Sequence, residues 1–154
     1  MPRVAVPRVL IADDHVPTRD VLGDCLRAAG LDIVAEAGTA AEAVDAAVAR
    51  APDLCLLDVC MPGNGVDAAR DISRRLPGTK IVMLTAFPDS DGCAEAVSAG
   101  AEGYLAKDMD AQRLAHVLRE VLAGRPAIPR AYTGVLIAEL RKRRSGRALW
   151  PRHA

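Results

Sequence analysis

The stretch Pro52-Asp53-Leu54-Cys55-Leu56-Leu57-Asp58 sets four apolar residues in a row, closes them with a carboxylate, and runs into the turn-forming segment Met61-Pro62-Gly63-Asn64-Gly65. An apolar run of this length, without polar alternation, reads as a strand buried on both faces. In open α/β sheets, ligands bind in the crevice beyond the carboxyl ends of the strands, so Asp58 stands where chemistry is done. Asp is also common just before a helix, and the plain alternative for Asp58 is a helix cap.

The segments on either side repeat the pattern. Val6 to Ala12 is an apolar strand candidate ending in Asp13-Asp14-His15. Thr18 is then the expected cap of a helix with Val21, Leu22, Cys25, Leu26 and Ala29 on one face, stopped by Gly30. Asp32 to Ala37 is a second strand, and Thr39 with Glu42 forms a capping box for an alanine-rich helix to about Arg50. After the central strand, a helix is expected from about Val66 to Arg75, broken by Pro77-Gly78. Lys80 to Thr85 is a fourth strand, and Asp89 to Ala99 a helix with Gly92 inside it. Glycine costs roughly 1 kcal/mol against alanine in a helix interior, which marks this helix as the least firmly held. Gly103 to Ala106 is a fifth strand ending at Lys107, and Asp110 to Ala123 a helix with Leu114, Val117, Leu118, Val121 and Leu122 on one face, closed by Gly124. Five β-then-α units in strict alternation imply a doubly wound parallel sheet with helices on both faces, in three layers.

Composition bounds the rest. The chain has 154 residues, 51% of them hydrophobic, enough to bury one core with a tail. Aromatic residues make up only 3%, which argues against base stacking as its main business. The zero net charge divides unevenly: residues 1–140 carry 14 basic and 20 acidic groups, whereas Arg141, Lys142, Arg143, Arg144, Arg147 and Arg152 follow with no acidic partner. That tail reads as a solvated linker rather than as a nucleic-acid arm or a membrane-surface patch. Cys25, Cys55, Cys60 and Cys93 lack CxxC spacing, so free thiols in a reducing compartment are expected rather than a zinc site or disulfides. The N-terminal apolar run is too short for a signal peptide or a membrane span, and a cytoplasmic protein with no membrane partner is expected.

In a parallel sheet, Asp13, Asp14, Asp58, Thr85 and Lys107 all emerge at one edge. Three carboxylates there repel one another, two like charges 4 Å apart costing about 4 kcal/mol at an effective dielectric near 20. Such a cluster calls for a cation, and an all-oxygen site that leaves room for water and phosphate suits Mg²⁺. A metal, an ammonium and a hydroxyl around one carboxylate are what phosphoryl transfer to that carboxylate requires.

Ile-Ala-Asp13-Asp14-His15, Pro52 to Asp58 with Met61-Pro62, Leu-Thr85-Ala86, and Gly100-Ala-Glu-Gly-Tyr104-Leu-Ala-Lys107-Asp108 together resemble the receiver domain of two-component response regulators, over about Arg8 to Gly124. His15 with Arg19, Val34 to Gly38, and Leu122-Ala-Gly124 are similar to the subfamily whose output is a LuxR-type helix-turn-helix. The resemblance implies a flavodoxin-like (βα)5 fold with strand order 2-1-3-4-5. It also implies that Asp58 accepts a phosphoryl group from a histidine kinase, that Asp13, Asp14, Asp58 and the backbone carbonyl of Cys60 hold Mg²⁺, and that Thr85 and Lys107 bind phosphoryl oxygens. Thr85 and Tyr104 would be the switch pair, the inward swing of Tyr104 reporting phosphorylation on the face of the fourth helix, fifth strand and fifth helix. Such a protein is a switch rather than an enzyme, beyond Mg²⁺-dependent self-phosphorylation and self-dephosphorylation, and a homodimer is a further implied partner. Residues 1–124 are then the receiver and 125–154 a linker and basic tail, with a helical pattern around 133–143. DNA would be contacted only through an output domain that this sequence lacks.

Two features depart from the family. The interval from Asp58 to Gly65 is one residue shorter than usual, and the sequence ends at Ala154 where the subfamily's DNA-binding domain would begin. Other readings stand beside these. The receiver could be a stand-alone or phosphorylation-independent interaction module. Gly63-Asn-Gly65-Val-Asp-Ala68 matches a dinucleotide fingerprint, but after the third strand and with no acidic residue closing a later one, and a cofactor binder would leave the acidic cluster and Lys107 unexplained. Tyr104 can be read as edge-strand packing, His15 and His116 as surface residues, and Cys60 as a passive thiol or an oxidisable one beside the metal.

Overall fold

The computed structural model describes residues 5–149, with side chains described through Arg144; residues 1–4 and 150–154, and so Arg152 and Trp150, lie outside the described residues, as does the side chain of Arg147. Strands β1 (Arg8–Ala12), β2 (Asp32–Ala37), β3 (Leu54–Asp58), β4 (Lys80–Thr85) and β5 (Gly103–Ala106) alternate with helices α1 (Val16–Ala28), α2 (Ala40–Arg50), α3 (Gly65–Arg75), α4 (Ser90–Ser98) and α5 (Ala111–Leu122). A short 3₁₀ turn, Arg130–Tyr132, leads into α6 (Thr133–Leu149). The five strands make one parallel sheet in the order β2-β1-β3-β4-β5.

The core explains why β3 carries no polar alternation. Leu54 and Leu56 pack with Leu26 of α1 and Leu114, Leu118 and Val121 of α5. Cys55 and Leu57 point the other way, into a cluster with Ala43 and Ala47 of α2, Ala69 and Ile72 of α3, and Ala96 and Val97 of α4. Every residue of β3 is buried. Full burial of a leucine is worth roughly 1.5–3 kcal/mol, so the strand's apolar contacts together outweigh the cost of holding one carboxylate at its end.

Several boundaries differ from the sequence reading. Val6 is 57% exposed and β1 begins only at Arg8, whose N–H donates to Asp53 Oδ2 at 2.9 Å. Asp53 is therefore an anchor before β3 rather than its first residue. Helix α1 is capped not by Thr18 but by His15, whose Nδ1 accepts from the Thr18 N–H at 3.3 Å, so the helix starts two residues before Thr18 with Pro17 in its first turn. The capping box of α2 is half formed: Thr39 Oγ1 accepts from the Glu42 N–H, while Glu42 reaches back to the Gly38 N–H instead of that of Thr39. Asn64 caps α3, which begins at Gly65.

The short connection from β3 to α3 is closed by Gly63 (φ 88°) and Asn64 (φ 74°), two successive residues in the left-handed region. Gly65 then lies so close to the end of β3 that a Cβ there would stand 2.0 Å from the Asp58 carbonyl oxygen. The outcome expected for Gly65→Ala is a loss of more than about 2 kcal/mol of stability with displacement of Asp58. At Gly78, where a Cβ would meet nothing within 4 Å, alanine should be close to neutral, and urea titration of both variants checks the contrast.

Candidate functional site

The parallel register brings the polar strand ends together. Ala12 pairs with Leu57, and Thr85 pairs with Ala106, so Asp13 and Asp58, then Thr85 and Lys107, emerge along one edge of the sheet. Asp13 and Asp58 are buried, 1% and 4% exposed, while Asp14 faces solvent. One carboxylate oxygen from each of Asp13, Asp14 and Asp58 lies within 4.8 Å of the other two. Lys107 Nζ stands 2.9 Å from Asp13 Oδ2 and 3.4 Å from Asp58 Oδ2.

The backbone fixes the remaining lone pairs. Asp13 Oδ1 accepts from the His15 N–H at 2.9 Å, and Asp58 Oδ1 from the Cys60 N–H at 3.2 Å. Asp13 Oδ2 is buried without a directed hydrogen bond, so its approach to Lys107 is an ion pair of poor alignment, and this oxygen keeps lone pairs for a further cation. Burial raises the proton affinity of Asp58 above that of an ordinary carboxylate, and the Asp13 charge adds to it, against the opposing effects of the Cys60 N–H and Lys107. For Lys107 burial acts to lower the pKa but is outweighed by Asp13 and Asp58, which leave it raised and the ammonium charged. Three hard oxygen donors with one unsatisfied buried lone-pair set fit a divalent cation such as Mg²⁺.

Thr85 is buried, and its Oγ1 accepts from the Phe87 N–H at 3.2 Å. Its hydroxyl hydrogen remains free to donate. Tyr104 is 2% exposed and turned into the core, where its hydroxyl oxygen accepts from the Asp89 N–H at 3.2 Å. A Cβ on Gly92 would lie 2.4 Å from that hydroxyl, so the glycine that weakens α4 in propensity is what makes room for the ring. The sequence reading saw only the propensity.

Arg19 is a part of the site that sequence reasoning noted but gave no role. Its Nη1 donates to the backbone oxygens of Asp13 at 2.7 Å and Ala37 at 3.1 Å, and its Nε pairs with Glu36 at 3.2 Å. The guanidinium clamps the peptide that joins Asp13 to Asp14. Its spacing from Asp13 in sequence carries no such signal, because Ala37 is brought in by the β1–β2 pairing. His116 lies far along α5 in an exposed pair with Glu120 and takes no part. All four cysteines are free; Cys55 is buried, which pushes its thiol up to about 12, and Cys60 is exposed beside Asp58. No helix among the described residues is long and apolar enough to cross a membrane.

A five-stranded 2-1-3-4-5 parallel sheet with an acidic edge and a facing lysine defines a flavodoxin-like α/β module, and comparison with known families agrees. The profile described as response regulator receiver domain matches residues 9–119, and the chain belongs to that family. Among curated relatives, the DNA-binding transcriptional activator DevR/DosR of Mycobacterium tuberculosis is 38% identical over 136 residues, 87% of this chain and 63% of that protein. Transcriptional regulatory protein PdtaR of the same species is 48% identical over 106 residues, 67% of this chain and 51% of that protein. The chain thus spans less than two thirds of the length of these relatives. Among solved structures, a LuxR-family two-component response regulator from Aurantimonas superposes with a TM-score of 0.78 at 30% identity, covering 88% of this chain and 98% of that one. A CheY-like receiver domain protein from Methanospirillum hungatei gives 0.74 at 25% identity, covering 78% and 96%.

Two outcomes are expected from this geometry. Because the folded-state pKa of Asp58 lies above its unfolded value, the ionised carboxylate destabilises the metal-free fold at neutral pH, and the penalty fades as pH falls through the folded pKa toward ordinary carboxylate values. In EDTA, Asp58→Asn should therefore melt a few degrees higher than the parent at pH 7, and the gap should close in acidic buffer. Arg19→Ala should cost about 2 kcal/mol by leaving two carbonyls without their charged donor, with faster amide exchange at Asp13 and His15.

Proposed function

We propose that this receiver is a phosphorylation-dependent signalling switch in which Asp58 takes a phosphoryl group from a phosphohistidine of a histidine kinase or from a small acyl phosphate. The observation that carries this reading is the convergence of Asp13, Asp14 and Asp58 on one edge with Lys107 facing two of them. A bond forms between an Asp58 carboxylate oxygen and phosphorus as the bond from phosphorus to the donor breaks. Asp13, Asp14, Asp58 and the backbone carbonyl of Cys60 would hold Mg²⁺, which when bound neutralises charge on the group in transfer.

The chain's own residues do the positioning. The Cys60 N–H holds one Asp58 oxygen, leaving the other toward Lys107. Lys107 gives up part of its pairing with the carboxylates to meet a phosphoryl oxygen, and Thr85, with Oγ1 already accepting from Phe87, donates its hydrogen to another. Asp58 itself is buried beneath this rim, while Asp14 beside it faces solvent.

The output is read as control of transcription, in keeping with the activity named for DevR/DosR, exerted through a DNA-binding region outside the matched part. A cytoplasmic setting goes with a kinase partner, and pairing of two copies with such an output.

Incubation with acetyl phosphate and Mg²⁺ should raise the intact mass by one phosphate, and neither Asp58→Asn nor the parent in EDTA should gain it. Absence of any gain from acyl phosphates and from phosphorylated kinases alike would leave a phosphorylation-independent interaction module.

A further inference from the structure

The segment after α5 does not hang from the receiver. The Ala127 N–H donates to the Glu102 oxygen at 2.8 Å, and the Ala127 oxygen accepts from the Tyr104 N–H at 3.0 Å, so the chain pairs alongside β5 at its free edge. Tyr132 then meets the buried Tyr104 edge to face, with ring centroids 6.0 Å apart and planes at 71°. Ile128, Val135 and Leu136 pack on the apolar cluster that α4 shares. Helix α4 ends without a basic residue of its own, and Arg143 of α6 supplies one, its Nη2 donating to the Val97 oxygen at 2.6 Å and the Ser98 oxygen at 3.3 Å. A cation there meets the orphan carbonyls and the negative end of the helix dipole.

These contacts join the pocket to α6 through a continuous path. Thr85 holds the Phe87 N–H, the same loop delivers the Asp89 N–H to the Tyr104 hydroxyl, and the Tyr104 ring rests on Tyr132. Tyr104 already occupies its inward position. Tyr132, in the turn that leads into α6, holds it there from outside, and the Arg143 cap fastens α6 to the far end of the same helix that Tyr104 supports.

We infer that the α4–β5 face is an interaction surface for the chain's own C-terminal segment, the 3₁₀ turn Arg130–Tyr132 with helix α6, and that docking of this segment through Tyr132 of the turn and Arg143 of α6 is coupled positively to phosphoryl binding at Asp58. The inference rests on the phosphoacceptor reading of Asp58 and adds its reader. Whatever follows α6 is reached through the position of this helix, and any partner for the α4–β5 face must displace it. Linkage makes the coupling reciprocal: a phosphoryl group that tightens the Thr85 loop tightens α6, and a loosened α6 weakens phosphoryl binding by the same factor.

The test uses the full chain with beryllium fluoride and Mg²⁺ as the phosphoryl mimic, read by hydrogen exchange and by titration. In the parent the mimic should slow exchange along α6, and Arg143→Ala and Tyr132→Ala should each bind it about five- to tenfold more weakly. Lys142→Ala, on the outer side of α6, should bind as the parent does. If the mimic binds the parent without changing exchange in α6, or binds both variants with parental affinity, the coupling is overturned while Asp58 keeps its role. If the parent binds no mimic, the phosphoacceptor reading falls, and the free protein judges the path. Faster exchange at Phe87 and Asp89 in the two variants would support α6 as the support of Tyr104, and unchanged exchange there would overturn it.

Discussion

Three carboxylates held at one edge of a sheet repel one another, and the surrounding architecture is arranged around that repulsion. Lys107 offsets part of it from the end of β5, reaching both Asp13 and Asp58. Backbone N–H groups of His15 and Cys60 take one oxygen of each buried carboxylate. Arg19 holds the peptide between Asp13 and Asp14 from below. What is left over, a buried Asp13 oxygen whose one partner is the Lys107 ammonium and a raised proton affinity on Asp58, favours further positive charge.

The stability that tolerates this frustration comes from the strands. β3 is packed on both sides by different helices, so the carboxylate at its end is carried by a segment that cannot shift without opening both clusters. The connection after it is as constrained as the strand: two left-handed residues and a glycine pressed against the Asp58 carbonyl turn the chain into α3. Rigidity under the site contrasts with α4, a nine-residue helix with a glycine in its first turn and its C-terminal carbonyls held by Arg143 of another element. Free energy differences that a phosphoryl group could shift are of a few kcal/mol, and an element of this marginal kind is where such a difference would be felt.

Most of the fold was legible because its signals are local. Apolar runs closed by polar residues marked four of the five strands, and three- and four-residue spacing marked the first and fifth helices. Where boundaries moved, a nonlocal or side-chain-specific contact was responsible. Arg8 begins β1 because Asp53 binds its N–H across 45 residues, and His15 took the cap from Thr18 because its ring nitrogen faces the Thr18 N–H. The convergence of Asp13, Asp14, Asp58 and Lys107 was inferable once the sheet was read as parallel. The clamp by Arg19 was not, since one of its two carbonyl partners arrives only through the β1–β2 pairing.

By itself, then, the order of residues determined a five-unit parallel sheet and the set of polar groups at its carboxyl edge, because hydrophobic periodicity and chain direction suffice to place strand ends. It could not determine what those groups lean on. Gly92 read as a weak point and proved to be the space for Tyr104, and the segment after α5, read as a linker and basic tail with a helical pattern around 133–143, sets Ala127 alongside β5, Tyr132, Val135 and Leu136 on the apolar cluster, and Arg143 at the end of α4. Both outcomes depend on which side chains meet across tens of residues, and such meetings are a property of packed surfaces in three dimensions, with no period along the chain to announce them.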